Sequence, residues 1–378
     1  MLIKPRAGQA ARIKVVGVGG GGGNALSSMI DEGGISGVEF VAVNTDAQAL
    51  LHNKATIKVQ IGENFTKGLG AGGDPEIGRQ AAEESRDRLK DELSGADMIF
   101  ITCGEGGGTG TGASPIIAEV ARETGALTVA VVTKPFDFEG SKRRFTADQG
   151  TQLLKEKVDT LIVVPNQKIL SIIEKKTPIL EAFKKIDEVL HSGVKGIAEL
   201  ITTPGLINVD FADVKTVMSN AGTALMGMGI GSGDKRAMVA IKQAISSPLL
   251  DVSIEGARGV LFNIAGGPDL TMSEIDEAAS IIAKSADPDA DIIFGAVIDD
   301  KMLDQIKITI IATKFDDNKL KLFRFKKEPV IEEPMKNLAA DEKKVNQINK
   351  NEEEMIDDTE QFLADEPEFD IPAFLRKK

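Results

Sequence analysis

Residues 97–115, Asp-Met-Ile-Phe-Ile-Thr-Cys-Gly-Glu-Gly-Gly-Gly-Thr-Gly-Thr-Gly-Ala-Ser-Pro, constrain this chain more than any other stretch. An apolar run, Met98 to Ile101, leads into five glycines and two threonines between Gly106 and Gly112, and a helix pattern begins near Pro115. A strand, a glycine loop and a helix aim backbone N–H groups and a helix N-terminus at an anion. Glycine reaches positive φ and lets a phosphate approach without a Cβ in the way. Thr109 and Thr111 are expected to add hydroxyl donors. No Lys follows the glycines, so this is not a Walker A loop. A flexible linker is the plain alternative, but linkers do not sit between a buried strand and an amphipathic helix.

The chain around this loop, at 378 residues, has room for two domains and tails. A formal charge of −13 argues against a nucleic-acid binder. The one cysteine, Cys103, excludes an internal disulfide and reads as a buried structural thiol in a reducing compartment. His52 and His191 lack metal-ligand spacing and read as structural. No run approaches the length of a membrane span, and the N-terminus lacks the apolar core of a secretory signal.

Residues 1–11 read as a loose arm. Ile13 to Val18 reads as a strand running into Gly19–Gly23 and Asn24, then a helix. Gly17, Gly19 and Gly22 match G-x-G-x-x-G, a weak signal alone; Asp46, after the strand Val38 to Val43, keeps a dinucleotide enzyme in play. A third glycine loop spans Gly68 to Gly73, and Asp74-Pro75 has the form of a helix start. Strands follow at Ile57–Ile61, Leu127–Val132 and Leu161–Val164, alternating with helices. The pattern is a Rossmann-like, doubly wound parallel sheet with its ligand at the carboxyl edge.

One long helix is expected over 178–203, with apolar residues at steps of three and four from Ile179 to Ile201. Gly193 and Gly196 weaken it and suit close packing. Asp210, with Asp213 three residues on, has the form of a helix cap. Residues 204–325 read as a smaller α+β unit. Its elements are a helix over Ala237–Ile245, strands at Val260–Ile264, Ile292–Val297, Ile306–Ala312 and Leu320–Phe325, and a helix opened by a Ser273-x-x-Asp276 capping box. Residues 326–365 are too polar to order themselves and read as an acidic linker. Residues 366–378 regain Phe369, Ile371, Phe374 and Leu375 before a basic end, the form of a docking tail.

Together these residues resemble the FtsZ family of bacterial tubulin-like cell-division GTPases. The carriers are the 106–112 motif, Gly19–Gly23 with Asn24, Asn44-Thr45-Asp46, Thr133-Lys134-Pro135-Phe136, and Asn208-Val209-Asp210-Phe211-Ala212-Asp213. The resemblance implies the tubulin/FtsZ fold: a GTP-binding domain over 12–177, the central helix, and a C-terminal activation domain over 204–325. It implies GTP or GDP across the strand ends, with Mg2+ held mainly through phosphates and water. Gly20, Gly21, Gly22, Gly23, Gly107, Gly108, Thr109 and Gly110 would hold phosphates, with Ala71 and Gly72 near the γ-phosphate. Glu139 and Arg143 would meet the ribose. Asn24, Asn166 and Asp187 would read guanine, and Phe183 would stack on it. Asn208, Asp210 and Asp213 of the next subunit would complete the active site, so hydrolysis would depend on head-to-tail assembly. The resemblance further implies a cytoplasmic protein of the midcell division ring, tethered through residues 366–378 to an FtsA-like anchor, with no membrane insertion of its own.

Two departures stand out. Glu105 lies beside the phosphate loop where the family commonly has an apolar residue, so its side chain must face away or be offset by a cation. Ser27 and Ser28 replace common Asn and Arg. A nicotinamide oxidoreductase and a non-enzymatic filament protein are the competing functions; no placed hydride-transfer acid supports the first.

Overall fold

A computed structural model describes residues 11–174, 176–203, 205–207, 209–249, 254–300 and 302–315. The arm up to residue 10, Asn208, the expected strand Leu320–Phe325, the linker and the tail lie outside the described residues.

The first half alternates as expected: β1 (Ile13–Val18), α1 (Gly19–Asp31), β2 (Val38–Asn44), α2 (Ala47–His52), β3 (Ile57–Gln60) and α3 (Glu63–Thr66). Then come α4 (Pro75–Glu84), α5 (Arg86–Leu93), β4 (Met98–Gly104), α6 (Thr109–Glu123), β5 (Leu127–Lys134), α7 (Ser141–Lys157), β6 (Thr160–Pro165) and α8 (Asn166–Ile169). The long helix is α9 (Ile179–Thr202), followed by α10 (Phe211–Met218), β7 (Gly222–Ser232), α11 (Arg236–Ile245), β8 (Gly259–Gly266), α12 (Met272–Ser285), β9 (Asp291–Ile298) and β10 (Gln305–Thr313).

Among the described residues, ten strands form one sheet in the order β3-β2-β1-β4-β5-β6-β7-β10-β8-β9. From β3 to β6 every pairing is parallel. Central strands of such a sheet are buried on both faces, which is why β1 and β4 are nearly all apolar. Alternation divides them between two cores: Val15 and Phe100 face α1 and α9, whereas Val16 and Ile101 face α6. Each fully buried side chain of this size contributes about 1.5–3 kcal/mol.

The two halves of the sheet meet where β6 and β7 pair in parallel over Thr160–Ile162 and Gly222–Ala224. Beyond it, β10 is antiparallel to both β7 and β8. Sequence reading assigns β7 no element, because four glycines interrupt its apolar residues. Two of them have a packing reason. A Cβ on Gly229 would lie 2.0 Å from the Ala240 carbonyl oxygen, and one on Gly231 would lie 1.9 Å from that of Arg236. Helix α11 therefore rests on the strand at backbone contact.

Helix α9 runs about as expected and, at 24 residues, is roughly 36 Å long. Leu190, Val194 and Ile197 bury its inner face. The close-packing role of its glycines holds. A Cβ on Gly193 would meet Met226 Sδ at 2.7 Å, and one on Gly196 would meet Thr309 at 3.1 Å.

Three helix starts differ from expectation. The capping box of α12 is Thr271 with Glu274, not Ser273 with Asp276. Glu274 accepts from Thr271 N at 2.9 Å and is itself held by Arg236 at 2.6 Å, an ion pair that fixes the register two residues earlier. Helix α6 begins at Thr109 rather than near Pro115, which lies inside it. Glycines 20–23 form the first turns of α1 rather than a loop.

Candidate functional site

At the carboxyl ends of β1, β4, β5 and β6 lies a cleft of about 400 Å³. That volume suits a ligand of nucleotide size. Two helices point their N-termini into it. Gly20 and Gly21 of α1 line one side; Gly107, Gly108, Thr109 and Gly110, at the start of α6, line the other. Neither helix has a side-chain cap or an acidic residue in its first turn. The first N–H groups of a helix have no intrahelical partner; α4 satisfies one through Asp74, whereas those of α1 and α6 open onto the cleft, where an anion can meet them.

The loop before α6 is braced from within. Gly106 takes φ +96° and donates its N–H to Thr111 Oγ1 at 2.9 Å. The Thr111 hydroxyl is thus a buried strut of the loop, and it does not line the cleft as a donor. Thr109 Oγ1 sits 2.7 Å from Thr45 Oγ1 and ties α6 to the end of β2. A Cβ on Gly112 would lie 1.8 Å from the Pro75 carbonyl oxygen, so α4 and α6 touch through their backbones. That contact carries the third glycine loop to the cleft, where Ala71 and Gly73 line it and Gly72 does not. Gly22 and Gly23 also lie outside its lining: a Cβ on Gly22 would meet the Thr102 carbonyl oxygen at 2.2 Å, and Gly23 borders a smaller cavity behind α1.

The other end of the cleft is built by α9 and the residue after β6. Phe183, Ile186, Asp187 and Leu190 present one face of α9 to it at helical spacing. Phe183 is 43% exposed and sits edge-on to Phe136, ring centroids 5.7 Å apart. Burial, then the nearby Glu32 charge, pushes the Asp187 carboxyl up to about 6, and no side-chain hydrogen bond contributes. Asn166 is 6% exposed, and its Oδ1 has no partner. An unpartnered buried carbonyl beside a carboxyl in want of donors fits a ligand edge rich in N–H groups. Asn24 of α1 also lines the cleft. Between the two ends, Arg143 pairs with Glu139 at 2.5 Å, and Glu139 also accepts from Phe136 N at 2.9 Å.

Val18, Gly104, Thr133, Pro135, Ile186 and Leu190 line the cleft without having been singled out as ligands. Ile186 and Leu190 were findable, because they share the face of Phe183 and Asp187. Glu105 lines it too, with its side chain buried. Asp46 does not line it. Its carboxylate caps α2, accepting from Gln48 N at 2.9 Å and Ala49 N at 3.1 Å. The structural reading of His191 is met by its buried ring, whose Nδ1 bonds Glu32. Cys103 is buried, its thiol pushed well up by burial and by Glu105.

Asp210 and Asp213 are both exposed and outside the cleft, at the start of α10 beyond the far end of α9. Asp210 caps that helix, accepting from Ala212 N at 3.3 Å. Among the described residues no helix is long and apolar enough to cross a membrane.

The Tubulin/FtsZ family GTPase domain matches residues 12–174, and the FtsZ family C-terminal domain matches residues 222–316. Among solved structures, an FtsZ dimer from M. jannaschii is 49% identical, with a TM-score of 0.77 over 80% of this chain and 88% of that one. CetZ2 from Haloferax volcanii, solved as a GTPgS-bound protofilament, is 20% identical with a TM-score of 0.69 over 90% of this chain and 99% of its own. CetZ1 from the same organism, a GDP-bound monomer, is 21% identical with a TM-score of 0.70 over 83% and 99%. The two CetZ structures share the fold.

Proposed function

This chain belongs to the FtsZ branch of the tubulin/FtsZ family, with that family's GTPase domain, and from that membership we propose that it hydrolyses GTP only once assembled head to tail. The observation that carries the reading is the pair of uncapped, acid-free helix N-termini facing one cleft beside an unsatisfied Asn166 and Asp187.

In this reading the phosphates lie against the N–H groups of Gly20, Gly21 and Gly107–Gly110, with Ala71 at the γ-phosphate; Gly22, Gly23 and Gly72, outside the lining, shape the loops from behind. Both helix dipoles favour their charge. Glu139 and Arg143 meet the ribose. The Asp187 carboxylate accepts from guanine N1–H and the 2-amino group, a donor pair that adenine lacks. Asn166 Oδ1 takes a further donor, Asn24 contacts the base, and Phe183 covers its face. Mg2+ sits on phosphate oxygens and water.

Hydrolysis needs a positioned water and relief of the charge developing on the phosphates. The acids of the described cleft are Glu105, Glu139 and Asp187; the first is buried, the second is paired, and the third belongs to the base end. The exposed Asp210 and Asp213, with Asn208, are therefore assigned to the cleft of the next subunit, where they orient and polarise the water. The dimer described for the M. jannaschii relative supports assembly of this kind. By the same family reading, the filaments build the division ring at midcell, and residues 366–378 bind an FtsA-like anchor.

The test is phosphate release from GTP at increasing protein concentration. Specific activity should be negligible in dilute protein and rise steeply at the assembly threshold. Activity that stays flat across the threshold would overturn completion of the site by a neighbour. GTP-bound filaments without turnover would favour the non-enzymatic alternative.

A further inference from the structure

Glu105 is an acidic side chain at the phosphate end of a cleft suited to anions. It lies between the last residue of β4 and Gly106–Gly108. Its side chain is 5% exposed. Oε1 takes a bond from Cys103 Sγ at 3.4 Å, and Oε2 has no partner. A Cβ on Gly150 of α7 would lie 2.4 Å from Oε2, so that helix covers the carboxyl and bars it from swinging out.

The charged and titratable groups around it do not neutralise it. From β4 comes the Cys103 thiol, itself held protonated. From α6 comes Thr111, whose hydroxyl accepts from Gly106 N and whose own hydrogen bond lowers the Glu105 carboxyl only in part. From β5 comes Lys134, paired at 2.6 Å with Asp148 of α7. Across the loop Arg143 is paired with Glu139. Among the described residues no ion pair reaches Glu105. Burial, outweighing the bonds from Cys103 and Thr111 and the Lys134 charge, pushes its carboxyl up to about 7. Of the two expectations for this side chain, a cation offsets it only in part, through the Lys134 charge, and the side chain itself is buried.

We propose that Glu105 is a positioning residue whose neutral form admits the nucleotide's phosphates, so that nucleotide binding and proton uptake at this carboxyl are a single linked event. The proposal rests on the nucleotide reading above. An ionised Glu105 would set a buried negative charge beside several more on the incoming phosphates, in surroundings that screen poorly. Linkage fixes the sign. Well below neutrality the free protein already carries the proton, and binding takes up none. Well above it the free carboxyl is ionised, and binding must recruit a proton from solution. Affinity therefore falls as pH rises, by up to about tenfold per pH unit, until the bound form also ionises.

The experiment is calorimetry of GDP binding to the full chain, in pairs of buffers with different ionisation enthalpies, at about pH 6 and about pH 8. At the higher pH the terminal phosphate of GDP is itself fully ionised and contributes no proton. The wild-type chain should take up close to one proton per GDP there, and Glu105→Gln should take up none and lose the basic fall in affinity. A purely structural role for Glu105 would change affinity by a constant factor and leave the proton count alone. Equal counts in wild type and variant would overturn the proposal. Should Glu105→Gln fail to fold, the wild type alone decides, because no net uptake at about pH 8 would also overturn it. Absence of any binding heat in the wild type at either pH would instead remove the nucleotide reading on which the proposal stands.

Discussion

The two ends of α9 carry acidic residues in opposite circumstances. Near its N-terminus Asp187 is half-buried, raised toward neutrality and set beside an unpartnered Asn166 oxygen. Beyond its C-terminus Asp210 and Asp213 are exposed and outside any part of the cleft. In the proposed reading a ligand edge satisfies the first carboxyl, whereas the exposed acids of the second bear no desolvation and meet a neighbouring surface. On that reading recognition is prepared within one subunit, while the acids assigned to hydrolysis lie outside its own cleft.

The largest expected effect tests the outward-facing end. Asp210→Asn keeps a residue that caps α10 as well as Asp does but removes its charge. Turnover in filaments should fall by about 10²–10⁴, the usual worth of a group that handles the attacking water. GTP affinity should stay near that of the wild type. A variant with full turnover, measured by phosphate release, would remove the distinction between the two ends.

Next comes the phosphate end of the cleft. A Cβ on Gly108 would lie 2.8 Å from Ala71 Cβ and 2.9 Å from Asp74 N, so Gly108→Ser must push the loops apart. At about 1–3 kcal/mol of overpacking, GTP affinity should drop by about five- to 160-fold. Because its Asp210 is intact, this variant mixed with Asp210→Asn should recover some turnover. Failure of every mixture to do so, despite co-assembly in sedimentation, would count against a shared site.

Asp187→Ala probes the inward-facing end. It should cost GTP about 1.5–3 kcal/mol, the worth of hydrogen bonds to a charged group, and leave weak ATP binding unchanged. Equal losses for both nucleotides in equilibrium titration would sink the guanine assignment.

The smallest effect is the acid limb of GTP binding. The Asp187 carboxyl, at about 6 in the free protein, must be ionised to accept from guanine. Affinity should decline by up to about tenfold per pH unit below that point and hold steady just above it. Asp187→Asn should flatten this limb and leave the basic limb of Glu105 in place. An unchanged acid limb in the variant would assign it to another group.

Much of this arrangement was legible in the residues. Strand cores such as Val15–Val18 and Met98–Ile101 announce themselves because a buried parallel strand leaves little room for anything polar. The cleft residues of α9 follow from helical spacing once Phe183 and Asp187 are chosen. What escaped reading depended on partners distant in sequence. β7 hides behind glycines whose reason lies in α11, and the start of α12 is decided by Arg236, which no local pattern reveals. Helical glycines such as Gly22 and Gly112 defeat propensity because tertiary contacts, Gly22 against Thr102 and Gly112 against Pro75, outweigh it. Thr111 reads as a ligand donor from the sequence, but its hydroxyl is buried behind the loop and outside the cleft lining.

The placement of Phe183 has an optical consequence. The chain contains no Trp and no Tyr, so it is nearly dark at the longer ultraviolet wavelengths used to excite indole. Phe183 stands partly exposed at the rim of the cleft, edge-on to buried Phe136. A Phe183→Trp chain would carry a single emitter there, with no background to subtract. Its emission would report a base sliding over the ring, and so the filling and emptying of the cleft could be followed in real time without labelling either the nucleotide or the protein.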